Sequence, residues 1–197
     1  MLPIYLASSS PRRKMLLEQL GLPFTVVPPD VEEEEHGGLP PRKLVEALAE
    51  KKARAVAPAI SRGLVLAADT VVVFQDRILG KPAGPREAVF MLSLLSGNEH
   101  EVYTGLAVME KPSGRLVVTH ECTRVRFRTL EEEEIARYVA TGEPLDKAGA
   151  YAAQGLGAIF IAGIKGCYFN VVGLPLARLA RVLREFGVDP LKCFLEK

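Results

Sequence analysis

The chain has 197 residues, 48% hydrophobic and 25% charged, which is enough to bury the core of one large domain and excludes an intrinsically disordered segment. Twenty-five Lys and Arg stand against 24 Asp and Glu, a net charge of +1. That balance excludes a surface built on unspecific positive charge for nucleic acid or membrane, so any phosphate chemistry must be local.

Residues 2 to 7 read as a short buried strand, and Pro11 to Leu20 as a helix with Ser10 as N-cap, Pro11 at its first position and Gly21 as its left-handed stop. Phe24 to Val27 is a second strand, and Pro28 to Gly38, with the acidic run Glu32 to Glu35, is a loop. From Pro41 to about Ala57 the apolar residues Leu44, Val45, Leu48, Ala49, Ala55 and Val56 recur at helical spacing. The apolar run Leu64 to Phe74 reads as a central strand, and Pro85 to Leu95 as a helix closed by Ser96-Gly97. Glu101 to Met109 and Leu116 to Phe127 are predicted as an antiparallel hairpin turning at Lys111-Pro112-Ser113-Gly114. Thr129 and Glu132 have the spacing of a capping box for a helix from about Leu130 to Thr141. Beyond a Gly-rich stretch, Ala158 to Ile164 and Cys167 to Val172 read as strands and Pro175 to Phe186 as a last helix. Strands and helices without strict alternation predict a mixed α/β sheet.

Further classes fall away. No apolar run approaches the ~20 residues of a membrane span, and Met-Leu-Pro-Ile-Tyr-Leu lacks the features of a signal peptide, so the expectation is a cytoplasmic protein. Cys122, Cys167 and Cys193 are odd in number and lack C-x-x-C spacing, which fits ordinary thiols rather than disulfides or a zinc site. No phosphate-binding G-x-x-x-x-G-K-[ST] loop, dinucleotide fingerprint or G-x-S-x-G elbow is present, and His36, His100 and His120 lack metal-ligand spacing.

Several charged residues break local rules. Arg12 and Arg13 occupy a helical first turn, where the macrodipole disfavours cations; either they are solvated, or Ser8-Ser9-Ser10, the helix amides and two guanidinium forks together form an anion site. Lys52 projects into the apolar stripe of its helix and must either snorkel past the core edge, the commoner outcome, or meet phosphate in a cleft. Asp69 interrupts Val65 to Val73 and needs a cation, hydrogen-bond donors or a water-filled cleft, unless Asp69-Thr70 is a bulge satisfied by backbone. One glutamate of 32 to 35 is a candidate second carboxylate, an Asp plus a Glu with phosphate oxygens being a set Mg²⁺ favours; a solvated acidic face is the alternative. Glu131 to Glu134 suit a helix N-terminus and need no functional explanation. Lys81, between Gly80 and Pro82, is either a turn lysine or an ammonium near the same cleft, and Asp146 to Gly155 has the aperiodic apolar character of a pocket-lining loop.

Five segments carry a resemblance: Leu6-Ala7-Ser8-Ser9-Ser10-Pro11-Arg12-Arg13, Ala67-Ala68-Asp69-Thr70, Gly80-Lys81-Pro82, Gly142-Glu143-Pro144-Leu145-Asp146-Lys147-Ala148-Gly149-Ala150-Tyr151 and Val172-Gly173-Leu174-Pro175. In order and spacing along the whole chain they resemble the Maf family of nucleoside triphosphate pyrophosphatases. The resemblance implies a single domain over residues 1–197, an elongated mixed sheet with flanking helices and two lobes around a central cleft, similar to inosine triphosphate pyrophosphatases. It implies hydrolysis of a nucleoside triphosphate between the α and β phosphates, with Mg²⁺ or Mn²⁺ as cofactor. The implied partners are the nucleotide and a second copy of the chain, with no nucleic acid polymer and no membrane.

Carried over by motif, Asp69 is the expected general base and Glu33 its partner at the metal, while Ser8, Arg12, Arg13, Lys52 and Lys81 are expected on the triphosphate. Arg12, Thr70 and Gln154 resemble the members acting on dTTP and UTP; those acting on 7-methylguanosine triphosphate carry Trp, Gln and Glu there. A glutamine amide can accept from the imide N–H of uracil or thymine while donating to a carbonyl, whereas a carboxylate suits the two donors of a guanine edge. The rival expectations are a 7-methyl-GTP enzyme and a non-catalytic nucleotide-sensing regulator of septum formation.

Overall fold

The computed structural model describes residues 2–31 and 38–195. The first strand, β1 (Ile4–Leu6), leads into α1 (Pro11–Gln19) and then β2 (Phe24–Val26). Ser10 occupies the N-cap position of α1, but its hydroxyl makes no capping bond; its own N–H donates to Ser8 Oγ at 3.1 Å. Gly21 stops the helix at φ 65°, and its N–H donates to the Glu18 carbonyl. Next come α2 (Pro41–Val56), β3 (Gly63–Phe74), β4 (Arg77–Leu79) and α3 (Pro85–Leu95). The predicted hairpin is β5 (Glu99–Lys111) and β6 (Leu116–Phe127); Glu110 N donates to Arg115 O across its turn, a return tight enough to force an antiparallel pair. The chain closes with α4 (Glu132–Ala140), β7 (Ile161–Lys165), α5 (Tyr168–Val172), α6 (Leu176–Glu185) and α7 (Pro190–Leu195).

Seven strands form one sheet in the order β2-β1-β3-β5-β6-β7, with β4 on β3. Strand β1 is parallel to both β2 and β3, pairing Leu6 with Val26 and Leu66, whereas β4 and β7 run antiparallel to their neighbours. The sheet is therefore mixed and flanked by helices, as its strand and helix pattern predicts. Among the described residues no helix is long and apolar enough to cross a membrane.

The chain divides into two compact units. The first comprises Met1–Asp69, Thr104–Glu121 and Gly173–Lys197. Its core sets Ala49, Ala53 and Val56 of α2 against Ala7, Val65, Ala67, Ala107 and Met109. Side chains this small let helix and sheet approach closely, and Gly105 marks the limit: a Cβ there would stand 1.9 Å from the Val45 carbonyl oxygen. The second unit comprises Thr70–Tyr103 and Cys122–Val172. Its core joins Leu92 and Leu95 of α3 to Ile135 and Tyr138 of α4 around Phe127, Tyr151 and Phe160.

Three local expectations need correction, and two short elements have no counterpart in the sequence reading. The predicted strand 167–172 is instead a helix over Tyr168–Val172, because Asn170 is wholly buried and its amide reaches Val102 O (2.9 Å) and Thr123 Oγ1 (3.0 Å), a demand that one helical turn satisfies. Ala158 to Ile164 is split, a 3-10 turn over Leu156–Phe160 preceding β7. No Thr129–Glu132 capping box forms: the Leu130 N–H donates to Ser96 Oγ at 2.8 Å, Glu131 becomes the N-cap, and Arg128 binds Glu134. The pairing β4 and helix α7 carry too few residues for a period to register.

Candidate active site

The first unit gathers four of the anomalous residues. The pleat of β3 buries Leu64 through Ala68 and leaves Asp69 at the strand's half-buried stretch, where its Oδ1 accepts a hydrogen bond from the Lys52 ammonium of α2. Both side chains are largely enclosed, 16% exposed for Lys52 and 15% for Asp69. Lys52 thus neither snorkels nor floats; the carboxylate that breaks β3 and the ammonium that breaks the α2 stripe are each other's partner.

At the start of α1, Arg13 donates through Nε to the Gly173 carbonyl (2.9 Å) and through Nη1 to Ser8 Oγ (3.4 Å). Ser8 is buried, and its oxygen accepts from both Arg13 and the Ser10 N–H. With both lone pairs engaged, the hydroxyl has its proton left to donate, the polarity an anion requires. Burial pulls the Arg13 guanidinium below its ordinary pKa; the nearby Asp69 charge opposes this, and Arg12 adds to it. A guanidinium stays protonated at any accessible pH, so the charge is fixed. The Ser10 side chain does not cap α1 and no acidic residue sits in its first turn, leaving the dipole's positive end uncompensated by side chains of the helix itself. Half-buried Arg12 adds a second guanidinium there.

Thr70, Lys81 and Gln154 belong to the second unit. Lys81 is exposed, and its segment is tied to the Asp146–Tyr151 stretch by a 3.0 Å bond from Gly149 N to Gly80 O. Gln154 is half-buried, and its buried Oε1 accepts no hydrogen bond among the described residues. Glu33 lies outside the described residues, as does all of 32–37. Among the described residues no group of three or more His, Cys, Asp and Glu is placed to hold a metal ion. A cavity of about 590 Å³ in the second unit, lined by Arg128, Glu134, Tyr138, Leu156 and Phe160 among others, contains none of the predicted site residues.

The motif segments therefore fall into two sets. Those at 6–13, 67–69 and 173–175 meet in the first unit, where Gly173 serves as the carbonyl that holds Arg13; those at 80–82 and 142–151 meet in the second. A family model described as "Maf-like protein" matches residues 3–186. The chain belongs to the Maf family.

Maf relatives are close. The dTTP/UTP pyrophosphatase of Pelotomaculum thermopropionicum is 58% identical over 188 residues, spanning 95% of this chain and 98% of that protein. Those of Desulforamulus reducens and Moorella thermoacetica are 57% and 56% identical, over 96% and 94% of this chain and 99% and 96% of their own lengths. Among solved structures the chain is similar to the Ham1 protein of Staphylococcus aureus at 17% identity and a TM-score of 0.47, covering 81% of this chain and 79% of that one.

Nothing in the sequence marks Gly105, and Glu143 stands out only as part of the segment 142–151 with no role of its own, yet both shape their units. Gly105 seats the helix that carries Lys52. Glu143 accepts from Tyr138 Oη (2.8 Å), Gly157 N (3.1 Å) and Leu156 N (3.0 Å). Burial acts to raise the Glu143 pKa, but the two backbone N–H bonds, the Tyr138 hydroxyl and the charge of Lys147 hold it below the usual carboxylate range.

Proposed function

We propose that this chain is a nucleoside triphosphate pyrophosphatase that hydrolyses dTTP and UTP to the monophosphate and pyrophosphate. The observation that carries the reading is Asp69 held by Lys52 in the same unit as the Ser8–Arg13 anion site. The names borne by the relatives, dTTP/UTP pyrophosphatase, support the substrate.

The chemistry follows from the donors. The Ser8 hydroxyl, the Arg12 and Arg13 guanidinium groups and the first-turn N–H groups of α1 bind phosphate oxygens. The Lys52 ammonium has three donors and uses one on Asp69, so it can hold the base and a phosphate oxygen together. Asp69 keeps acceptor capacity beyond that bond and takes the proton of the water that attacks the α-phosphorus; the P–O bond to the β-phosphate breaks, and the cations offset the charge gathering on pyrophosphate.

A divalent cation fits in one way. Asp69 provides a single carboxylate with Lys52 and Arg13 beside it, so Mg²⁺ or Mn²⁺ would be repelled alone and held only with the triphosphate, whose oxygens complete the hard-ligand set together with Glu33. When bound, such an ion neutralises phosphate charge. Gln154, with its orphan acceptor, suits the imide N–H of uracil and thymine.

Incubation of the purified protein with Mg²⁺ and a nucleotide panel, with pyrophosphate measured, tests the reading. The expected result is release from dTTP and UTP, reduced roughly 10²-fold or more in Asp69→Asn. Preference for 7-methyl-GTP would overturn the substrate, and nucleotide binding without pyrophosphate release would favour a sensor.

A further inference from the structure

The stretch around Gln154 is anchored on both sides of that residue. Before it, the Ala152 N–H donates to Tyr138 Oη at 3.3 Å, and the Ala153 carbonyl accepts from Tyr168 Oη at 3.4 Å. After it, the Leu156 and Gly157 N–H groups both point at the Glu143 carboxylate, which also takes the Tyr138 hydroxyl proton. Consecutive amides converging on one anion form a backbone nest, filled here by a side chain of the same unit. The sequence is built for that approach: a Cβ at Gly155 would stand 2.6 Å from one Glu143 oxygen and 2.8 Å from the other, and a Cβ at Gly157 would stand 2.7 Å from Tyr138 Oη. Between these anchors Gln154 holds its buried Oε1 without a hydrogen-bond donor among the described residues. A buried carbonyl oxygen left unsatisfied loses its hydration without replacement, so a turn pinned in this form is poised for a donor from outside.

We propose that Glu143 is a positioning residue for base selection: its carboxylate, shared by Leu156 N–H, Gly157 N–H and the Tyr138 hydroxyl, fixes the turn that presents Gln154 Oε1 to the imide N–H of a uracil or thymine base. The proposal deepens the pyrimidine reading above and rests on it. Uracil and thymine carry a hydrogen on N3 where cytosine carries a lone pair, so uridine over cytidine is the discrimination that Oε1 makes. Glutamine cannot replace Glu143. Its carboxamide has one acceptor oxygen for three donors, and its NH₂ must face a backbone N–H or the tyrosine hydroxyl.

Calorimetry with the non-hydrolysable α,β-imido-UTP and α,β-imido-CTP, with Mg²⁺ present, tests this on the wild type and on Q154A, E143Q and Y138F; kcat for UTP is measured in parallel. The wild type should prefer the uridine analogue, and Q154A should lose most of that preference. E143Q should weaken uridine binding and the uridine-to-cytidine ratio by about tenfold, as when one turn in ten remains competent, with kcat for UTP within about threefold. Y138F removes one of the three donors and keeps the ring that packs edge-to-face on Phe160, so it should lower the ratio by about threefold and serves if E143Q does not fold. If Q154A leaves the ratio unchanged, the base-recognition reading fails and this proposal with it. If Q154A abolishes the preference while folded E143Q, or Y138F in its place, retains it, Glu143 does not position Gln154 and the proposal alone is overturned.

Discussion

Gly105→Ala is the sharpest probe of how the first unit holds Lys52 against Asp69. Gly105 is buried in β5, beneath α2, and the atom an added Cβ meets first is a backbone oxygen, that of Val45, at 1.9 Å. Real Cβ contacts do not fall below 3.0 Å, so helix and strand must separate by about 1.1 Å. No flexible side chain can absorb that shift. Lys52 sits seven residues beyond Val45, two turns along the same helix, and moves with it. Overpacking of this kind costs roughly 1–3 kcal/mol, or about 3–10 °C in Tm for a chain of this size. A misplacement near 1 Å at a catalytic group costs on the order of 10²-fold in rate. Circular-dichroism melting and pyrophosphate release from dTTP should therefore show a folded protein, less stable and about 10²-fold slower, and adding Val45→Ala should not restore it because the clash is with the main chain. Wild-type activity with an unchanged Tm would refute the claim that α2 is seated by Gly105.

Lys52→Met keeps the apolar stem and removes the ammonium; kcat/KM for dTTP should fall about 10²-fold, and equal kcat/KM in both proteins would show that the charge does not serve the reaction. His100 gives a pH effect. It is 2% exposed, bonded through Nε2 to Tyr151 Oη at 2.8 Å, and burial pushes its pKa down to about 4 from 6.5. Because the folded pKa is the lower one, the unfolded chain takes up the proton first as pH falls: the stability of the neutral buried ring is intact above pH 6.5 and is lost progressively between 6.5 and about 4. The loss amounts to about 3 kcal/mol. Urea unfolding at pH 7 and pH 4.5 should show His100→Gln, which can still bond Tyr151 but does not titrate, losing less stability than the wild type; parallel pH dependences would remove His100 as the cause.

Much of this was written locally. The apolar period of 41–56, the run 64–74 and the hairpin 99–127 lie close to their predicted bounds because each is long enough for its period to outweigh single residues. The elements that were not legible are short. Residues 168–172 became helical through the buried amide of Asn170, and the start of α4 was set by Ser96, from a different segment, instead of by its own Thr129. Such bonds join residues tens of positions apart and leave no local period.

The candidate site divides in the same way. That Lys52, Asp69 and Arg13 are out of place in their own segments followed from the sequence, since a charge in an apolar stripe, in a central strand or at the positive end of a helix is unfavourable alone, although solvation, snorkelling or a bulge could each have answered it. Which partner each found was decided by tertiary structure: Lys52 and Asp69 satisfy one another across helix and strand, and Arg13 is held by a carbonyl 160 residues further on. A sequence states which charges are uncompensated, because burial and dipole follow from neighbours in the chain. The compensation is a matter of distance in space, and only the folded backbone sets that.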